Sequence, residues 1–399
     1  MPDLRHLARR INDNTPANRD RAIDALRALA ITGVVLGHWL LTAVTTTDSG
    51  TLTGTSPLTH MPQLAPLSWV FQTLAVFFLV GGYAAAGSWE RAQGRGTGYR
   101  AWATSRIRRL TRPVAALLAL WVLATVGLLA GGVPVQTLCT LLTLVLSPLW
   151  FLLVYIALTA ATPLIARLNP LWPLAVVLHV ELIRFGFGGP SWIGWMNVAA
   201  GWMVPSCLGT AWARGAFTLR GTALALFLGG GIATAALLLW GDYPASMVGV
   251  PGATVSNLSP PILAAVTFGI TQCGLALLLR EPLRRAMRRP ALWAGIALVN
   301  LSALTIFLWH QSAMLVTTSL GTTAGTLPGL GTPPDSILWI AQRILWIPAF
   351  AVALAACWAA FRVFERGGPQ PNPAENRRHT GPQALPPRAV PELQGAEHE

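Results

Sequence analysis

The stretch Asp24-Ala-Leu-Arg27-Ala-Leu-Ala-Ile-Thr-Gly-Val-Val-Leu-Gly-His38-Trp39 decides how this chain is read. It forms the core of an apolar run over 22–44, long enough to cross bilayer hydrocarbon, yet it carries three ionisable side chains. At about 100° per residue, Arg27 and His38 return to within roughly 20° of one helix face, about 16 Å apart along the axis. Asp24, three residues before Arg27, shares that face. A helix start with a snorkelling arginine accounts for Asp24 and Arg27 but not for His38, which lies too deep. Ionisable groups at such depth are costly and face a protein interior or a watery cavity. The segment reads as one wall of a functional site inside a membrane.

Composition agrees. Hydrophobic residues make up 53% of the chain and charged residues 11%, with a mean hydropathy of +0.53, far from an ordinary soluble domain. Ten apolar stretches are expected to cross: 22–44, 66–88, 113–131, 148–167, 171–186, 191–212, 219–240, 260–280, 291–316 and 336–362. The fifth is short and polar. The stretch 133–147 is too short, and too close to the fourth, to cross separately, and is expected to be re-entrant or interfacial. The first span, with its charges, does not read as a cleaved signal peptide. The expected architecture is an all-α, polytopic bundle of about ten transmembrane helices. It comprises a cytoplasmic segment over 1–20, a transmembrane domain over 21–365 and a disordered Pro-rich cytoplasmic tail over 366–399.

The arginines orient the bundle. All 28 basic residues are arginine, since no lysine occurs. They cluster in residues 1–21, in the 91–112 loop, at 167, at 214 and 220, over 280–289 and in the C-terminal tail. The alternate loops, 45–65, 132–147, 241–259 and 317–335, have none. By the positive-inside rule both termini are cytoplasmic and the number of spans is even. The same rule explains the net charge of +13, so no nucleic-acid partner is called for. The four cysteines lie far apart and give neither a metal-ligand spacing nor a disulfide framework, and no metal is expected.

With that orientation, Asp24 and Arg27 sit near the inner side and His38 in the outer half. The ninth span places His310 in the outer half as well. Glu181 and Arg184 stand three residues apart in the fifth span and can pair. Gln272, Gln342 and Arg343 need partners too, which a shared central cavity would provide.

These residues resemble the integral-membrane acyltransferase 3 family, which O-acetylates surface sugars and secondary metabolites, over about 19–365. The first-span arginine, ten intervening residues and a histidine are matched by Arg27 and His38. An aromatic pair before a small-small-aromatic turn is matched by Phe77-Phe78-Leu-Val-Gly81-Gly82-Tyr83. A cytoplasmic R-x-x-R is matched by Arg106 and Arg109, with Pro113 following. Trp150-Phe151 and Trp309-His310 resemble two later signatures. Many members carry serine where Gly81 stands, and no extracytoplasmic esterase-like domain follows the bundle.

The resemblance implies an acyltransferase that moves groups other than aminoacyl groups, in the cytoplasmic membrane of a bacterium. Its donor would be acyl-CoA, with acetyl as the family's habitual acyl group, taken as a co-substrate with no permanently bound cofactor. Its acceptor would be a hydroxyl of a carbohydrate or glycosylated secondary metabolite. Arg106 and Arg109 would hold the donor's phosphates. The same arginines also satisfy membrane orientation. Arg27 would hold cofactor or substrate charge, or orient a carboxylate. The pantetheine arm would run along the Arg27 face to His38. There the imidazole acts as general base on the acceptor, the simpler role, or attacks the thioester itself. Trp39, Tyr83, Trp150, Glu181, Arg184 and His310 are the candidate substrate-binding residues. For His310 a core role is an equal reading, and for Glu181–Arg184 a structural pair is another. The rival class is a proton-coupled exporter, against which stands the lack of matching halves with paired broken helices. A membrane glycosyltransferase would want acidic residues on the first outer loop, where only Asp48 stands. A serine hydrolase would want G-x-S-x-G, which is absent.

Overall fold

The computed structural model describes residues 4–365, apart from 17, 18, 48, 218 and 324; the expected tail over 366–399 lies outside the described residues. Long apolar runs have to satisfy their backbone internally, so they become helices. These are α1 Leu4–Asp13, α2 Arg21–Leu41, α3 Leu74–Gly94, α4 Tyr99–Ala130, α5 Val135–Leu146, α6 Leu149–Ala160, α7 Leu171–Glu181, α8 Met196–Ala213, α9 Arg220–Trp240, α10 Leu263–Ala286, α11 Pro290–Leu301, α12 Ala303–Thr322 and α13 Ile337–Glu365. One small hairpin, β1 Ala43–Thr46 with β2 Leu52–Thr55, follows α2 on the arginine-free side.

Seven of these runs are long and apolar enough to cross a membrane, or eight if the bent pair α11–α12, which turns by 74°, is counted as one span. Two expected spans do not pass that test. Helix α7 has 11 residues and runs on through a π turn over Leu182–Gly186, and together they stay short of the hydrocarbon thickness. Helix α8 carries Asn197, Ser206 and Thr210, all buried, and is an interior helix rather than a lipid-facing one. The stretch 133–147 is also corrected. Helix α5 continues into α6 as a single apolar run over Val135–Ala160, so this segment joins the fourth candidate crossing instead of standing apart from it.

Helix α2 is central, packing against α3, α10, α11, α12 and α13. Asp20 caps its start by accepting from the Ala22 amide at 3.1 Å. Helices α3 and α8 approach so closely that a Cβ on Gly209 would lie 2.0 Å from the Leu79 carbonyl oxygen, and one on Gly82 would lie 2.4 Å from that of Ser206. Small residues at a helix crossing allow this packing where no water drives association. By contrast α4, α9 and α13 leave large apolar side chains such as Leu123, Ile232 and Leu345 exposed, as a lipid-facing ring would.

The two ends of the bundle meet on one side. Asn300 donates to the Asp24 carbonyl at 2.7 Å, at the α11–α12 bend. Glu365, at the end of α13, accepts from the Leu304 and Thr305 amides at 3.2 and 3.1 Å and so caps α12. The start of α2 and the end of α13 therefore both lie beside the α11–α12 bend.

Candidate active site

The last turn of α2 presents His38. Its Nδ1 lies 2.8 Å from the Val34 carbonyl oxygen. A carbonyl only accepts, so Nδ1 carries the proton and Nε2 is left as a base. His310 on α12 repeats the arrangement, with Nδ1 2.5 Å from the Phe307 carbonyl and a buried Nε2 that has no partner among the described residues. The two rings meet edge to face with centroids 4.8 Å apart. Two distant parts of the chain thus place a pair of imidazoles together in the arginine-free half of the bundle.

In front of His38 lies a cavity of about 740 Å³, lined also by Gln72, Ser147, Trp150, Phe307 and Gln311. It extends past Thr55 of β2 and the 248–259 segment, the arginine-free side. Among the described residues its wall holds no Asp, Glu or Arg. One wall is built by a break in the second crossing. Phe71 fills the space beside Gly37, the Thr73 hydroxyl donates to the Ala30 carbonyl at 2.7 Å, and Gln272 donates to the Gln72 carbonyl. The Gln72 side chain in turn caps α3 by accepting from the Leu74 amide at 3.2 Å. Irregular backbone at membrane depth is tolerated where it lines a cavity and finds partners, and both conditions hold here.

Arg343 fixes the outer end of α2. It is 1% exposed and donates to the carbonyls of Trp39 at 2.7 Å, Thr42 at 2.8 Å and Gly329 at 3.2 Å. Its guanidinium lies 4.6 Å from the Phe350 ring centroid. Two of these acceptors are carbonyls at the C-terminal end of α2, where a cation is favoured.

On the inner side, Asp24 accepts from Arg19 at 2.5 Å and lies 3.7 Å from Arg27. Arg106 lies within electrostatic reach of Tyr155, Arg109, Arg27 and Arg91. From this cluster an aromatic seam leads outward. Tyr155 stacks on Phe151 with centroids 6.1 Å apart, Phe151 meets Phe307 at 5.3 Å, and Phe307 meets His310 at 5.9 Å. Phe151 and Phe307 form the floor of the outer cavity. The Tyr155 ring also explains Gly81, because an added Cβ there would lie 2.5 Å from its Cε2.

Of the ten residues singled out in the sequence, His38 and Trp150 line the cavity. His310 stands behind His38, and Arg27, Arg106 and Arg109 gather inside. The other four lie elsewhere. Trp39 is 3% exposed and donates to the His310 carbonyl at 3.0 Å, bracing α2 against α12. Tyr83 faces the inner side, with its ring 4.9 Å from Trp212. Glu181 and Arg184, 3.9 Å apart, join a separate network. Glu181 accepts from the Asn197 side-chain amide at 3.1 Å, the Tyr243 hydroxyl at 2.9 Å and the Leu263 amide at 3.3 Å. Burial, reinforced by Glu181, pushes the Tyr243 phenol pKa up, so it remains a donor. Gln72 and Gln311 belong to the cavity and were not proposed as ligands; a glutamine within an apolar span was the signal available.

A polytopic helix bundle with an imidazole on the wall of a largely apolar cavity that carries a few amide and hydroxyl groups is the frame of a membrane-embedded enzyme. The model of the acyltransferase 3 family, described as an acyltransferase domain, matches residues 20–362, and the chain belongs to that family. It is an acyl-transferring, multi-pass membrane enzyme. No curated protein and no solved structure matches it.

Proposed function

We propose that the enzyme transfers an acyl group, in the first instance acetyl, from cytoplasmic acyl-CoA to a hydroxyl of a carbohydrate or glycosylated metabolite held in the outer cavity. The observation that carries this reading is the free Nε2 of His38 at the cavity wall, fixed by its Nδ1 bond to Val34. The acceptor hydroxyl gives its proton to that nitrogen as its oxygen attacks the thioester carbonyl. The C–S bond breaks, an O-ester forms, and the proton passes to the departing coenzyme A thiolate. General-base assistance of this kind contributes about 10²–10⁴ in rate.

Arg106, Arg109 and Arg27 hold the donor's phosphates at the inner side, and the acyl arm takes the seam lined by Phe77, Phe151 and Tyr155. Trp150 offers the acceptor a flat apolar face, and Gln72 and Gln311 offer it amide hydrogen bonds. The test is vectorial transfer in proteoliposomes of uniform orientation. Labelled acetyl-CoA supplied to the arginine-rich face, with a glycoside on the other, should yield ester and free coenzyme A in equal amounts. Ester formation only when donor and acceptor share the arginine-free face would refute the route.

A further inference from the structure

A second recess opens on the arginine-rich side, about 630 Å³ in volume, between the start of α2, Tyr83 of α3 and the end of α10. Arg19, Arg21, Arg280, Arg284 and Arg288 line it, against one carboxylate, Asp20. Asp20 is engaged by Arg280 at 2.8 Å, and Arg19 and Arg284 also have carboxylate neighbours, Asp24 at 2.5 Å and Glu281 at 3.9 Å. Arg21 is held by neutral acceptors, the Asn12 side chain at 2.8 Å and the Met287 carbonyl at 3.1 Å. Arg288 pairs with no carboxylate among the described residues. The lining is therefore left with positive charge that its own acids do not cancel. At its edge Tyr83 packs on Trp212, over which Arg280 sits at 5.4 Å.

Membrane orientation asks only for arginines somewhere on this side. It does not require guanidiniums from residues 19–21 and 280–288 to surround one recess with an aromatic edge. Guanidinium clusters bind phosphate by forked, charge-assisted contacts, and an aromatic face suits a purine. Asp24 bonds Arg19 on the recess side and neighbours Arg27 on the other, so the recess adjoins the inner end of the donor route.

We infer that this recess binds a nucleotide polyphosphate, the adenosine bisphosphate end of the donor, while Arg106 and Arg109 hold the part nearer the acyl arm. The inference rests on the acyl-CoA reading above and adds to it residues outside the R-x-x-R.

The test uses the full chain in neutral phosphatidylcholine nanodiscs, with Arg280→Gln/Arg288→Gln and, as a milder variant on an exposed side chain, Arg284→Gln. Binding of adenosine 3′,5′-bisphosphate and the KM for acetyl-CoA are measured together. Loss of one charge-assisted contact is worth roughly tenfold. The double variant should weaken nucleotide binding and raise the donor KM by about tenfold or more, with kcat at saturating donor unchanged. Inorganic pyrophosphate should compete with donor and not with acceptor. Arg280→Lys/Arg288→Lys should recover part of the loss, because Lys keeps the charge without the fork. The site assignment is overturned if wild type transfers normally and both variants keep donor KM and nucleotide affinity within about twofold. It is also overturned if the variants differ from wild type only when anionic phosphatidylglycerol is added, which would make the recess a lipid headgroup site. Absence of any acetyl-CoA-dependent transfer by wild type would instead remove the donor reading itself.

Discussion

Replacing Arg343 by Met should unfasten the end of α2 that carries His38. The native guanidinium is fully buried without a carboxylate, so its desolvation is offset by three carbonyl acceptors at 2.7, 2.8 and 3.2 Å and by the Phe350 face. Met removes the buried charge but leaves those carbonyls without a donor, at about 1–3 kcal/mol each. Relief from burying a lone cation returns part of this, since replacement of buried charges by apolar side chains is often tolerated. The carbonyl loss wins because two of the three acceptors are orphans of a helix end, with no other donor among the described residues. The net cost should be on the order of 3–5 kcal/mol for Met, and on the order of 1–3 kcal/mol for Lys, which keeps the charge and loses the fork. Thermal unfolding in detergent, followed by loss of the soluble monodisperse fraction, gives the stability change. Transfer kinetics give the second readout: kcat should fall more than the donor KM rises, because the shifted group is His38 and not the inner arginines. An Arg343→Met protein that melts with wild type and keeps its kcat would refute the anchoring role.

Three further outcomes follow from the same geometry. The cavity wall holds no charged residue among the described ones, so adding a carboxylate to a neutral acceptor should lower kcat/KM by about 10² or more, the cost of burying an unpaired charge. A comparison of a neutral glycoside with its uronate counterpart checks this. Trp150→Ala should raise the acceptor KM roughly tenfold, from lost stacking and burial, with the donor KM unchanged. Gly209→Ala forces a methyl to within 2.0 Å of the Leu79 carbonyl oxygen, and should destabilise the α3–α8 crossing by about 1–3 kcal/mol. Differential scanning fluorimetry reads that change directly.

Much of the fold is legible along the chain because bilayer physics acts locally. The runs of apolar residues and the alternation of arginine-rich with arginine-free loops need no tertiary information. His38 was visible for the same reason, as an imidazole where hydrocarbon should be. What stayed hidden depends on contacts between distant segments. Nothing local says that Trp39 braces His310, 271 positions away, instead of facing substrate. Nothing local says that Arg343 caps α2. Glu181 and Arg184 are adjacent on a helix and their pairing could be read, but Tyr243 and Leu263, which complete the network, come from beyond α9. The break at Gln72–Thr73 was masked because Trp69, Val70 and Phe71 are as apolar as a helix would be. The reading of crossings is least sharp at α7, which is short, and at α8, which is buried inside protein, because burial in protein and burial in lipid select similar residues.

The most direct test of the account is His38→Ala in oriented proteoliposomes, measured as acetyl transfer per folded enzyme with acetyl-CoA on the arginine-rich face. The account gives a fall of about 10²–10⁴ in kcat with the protein's melting temperature unchanged. Turnover within about tenfold of wild type would contradict it, since the acceptor would then lose its proton without that nitrogen.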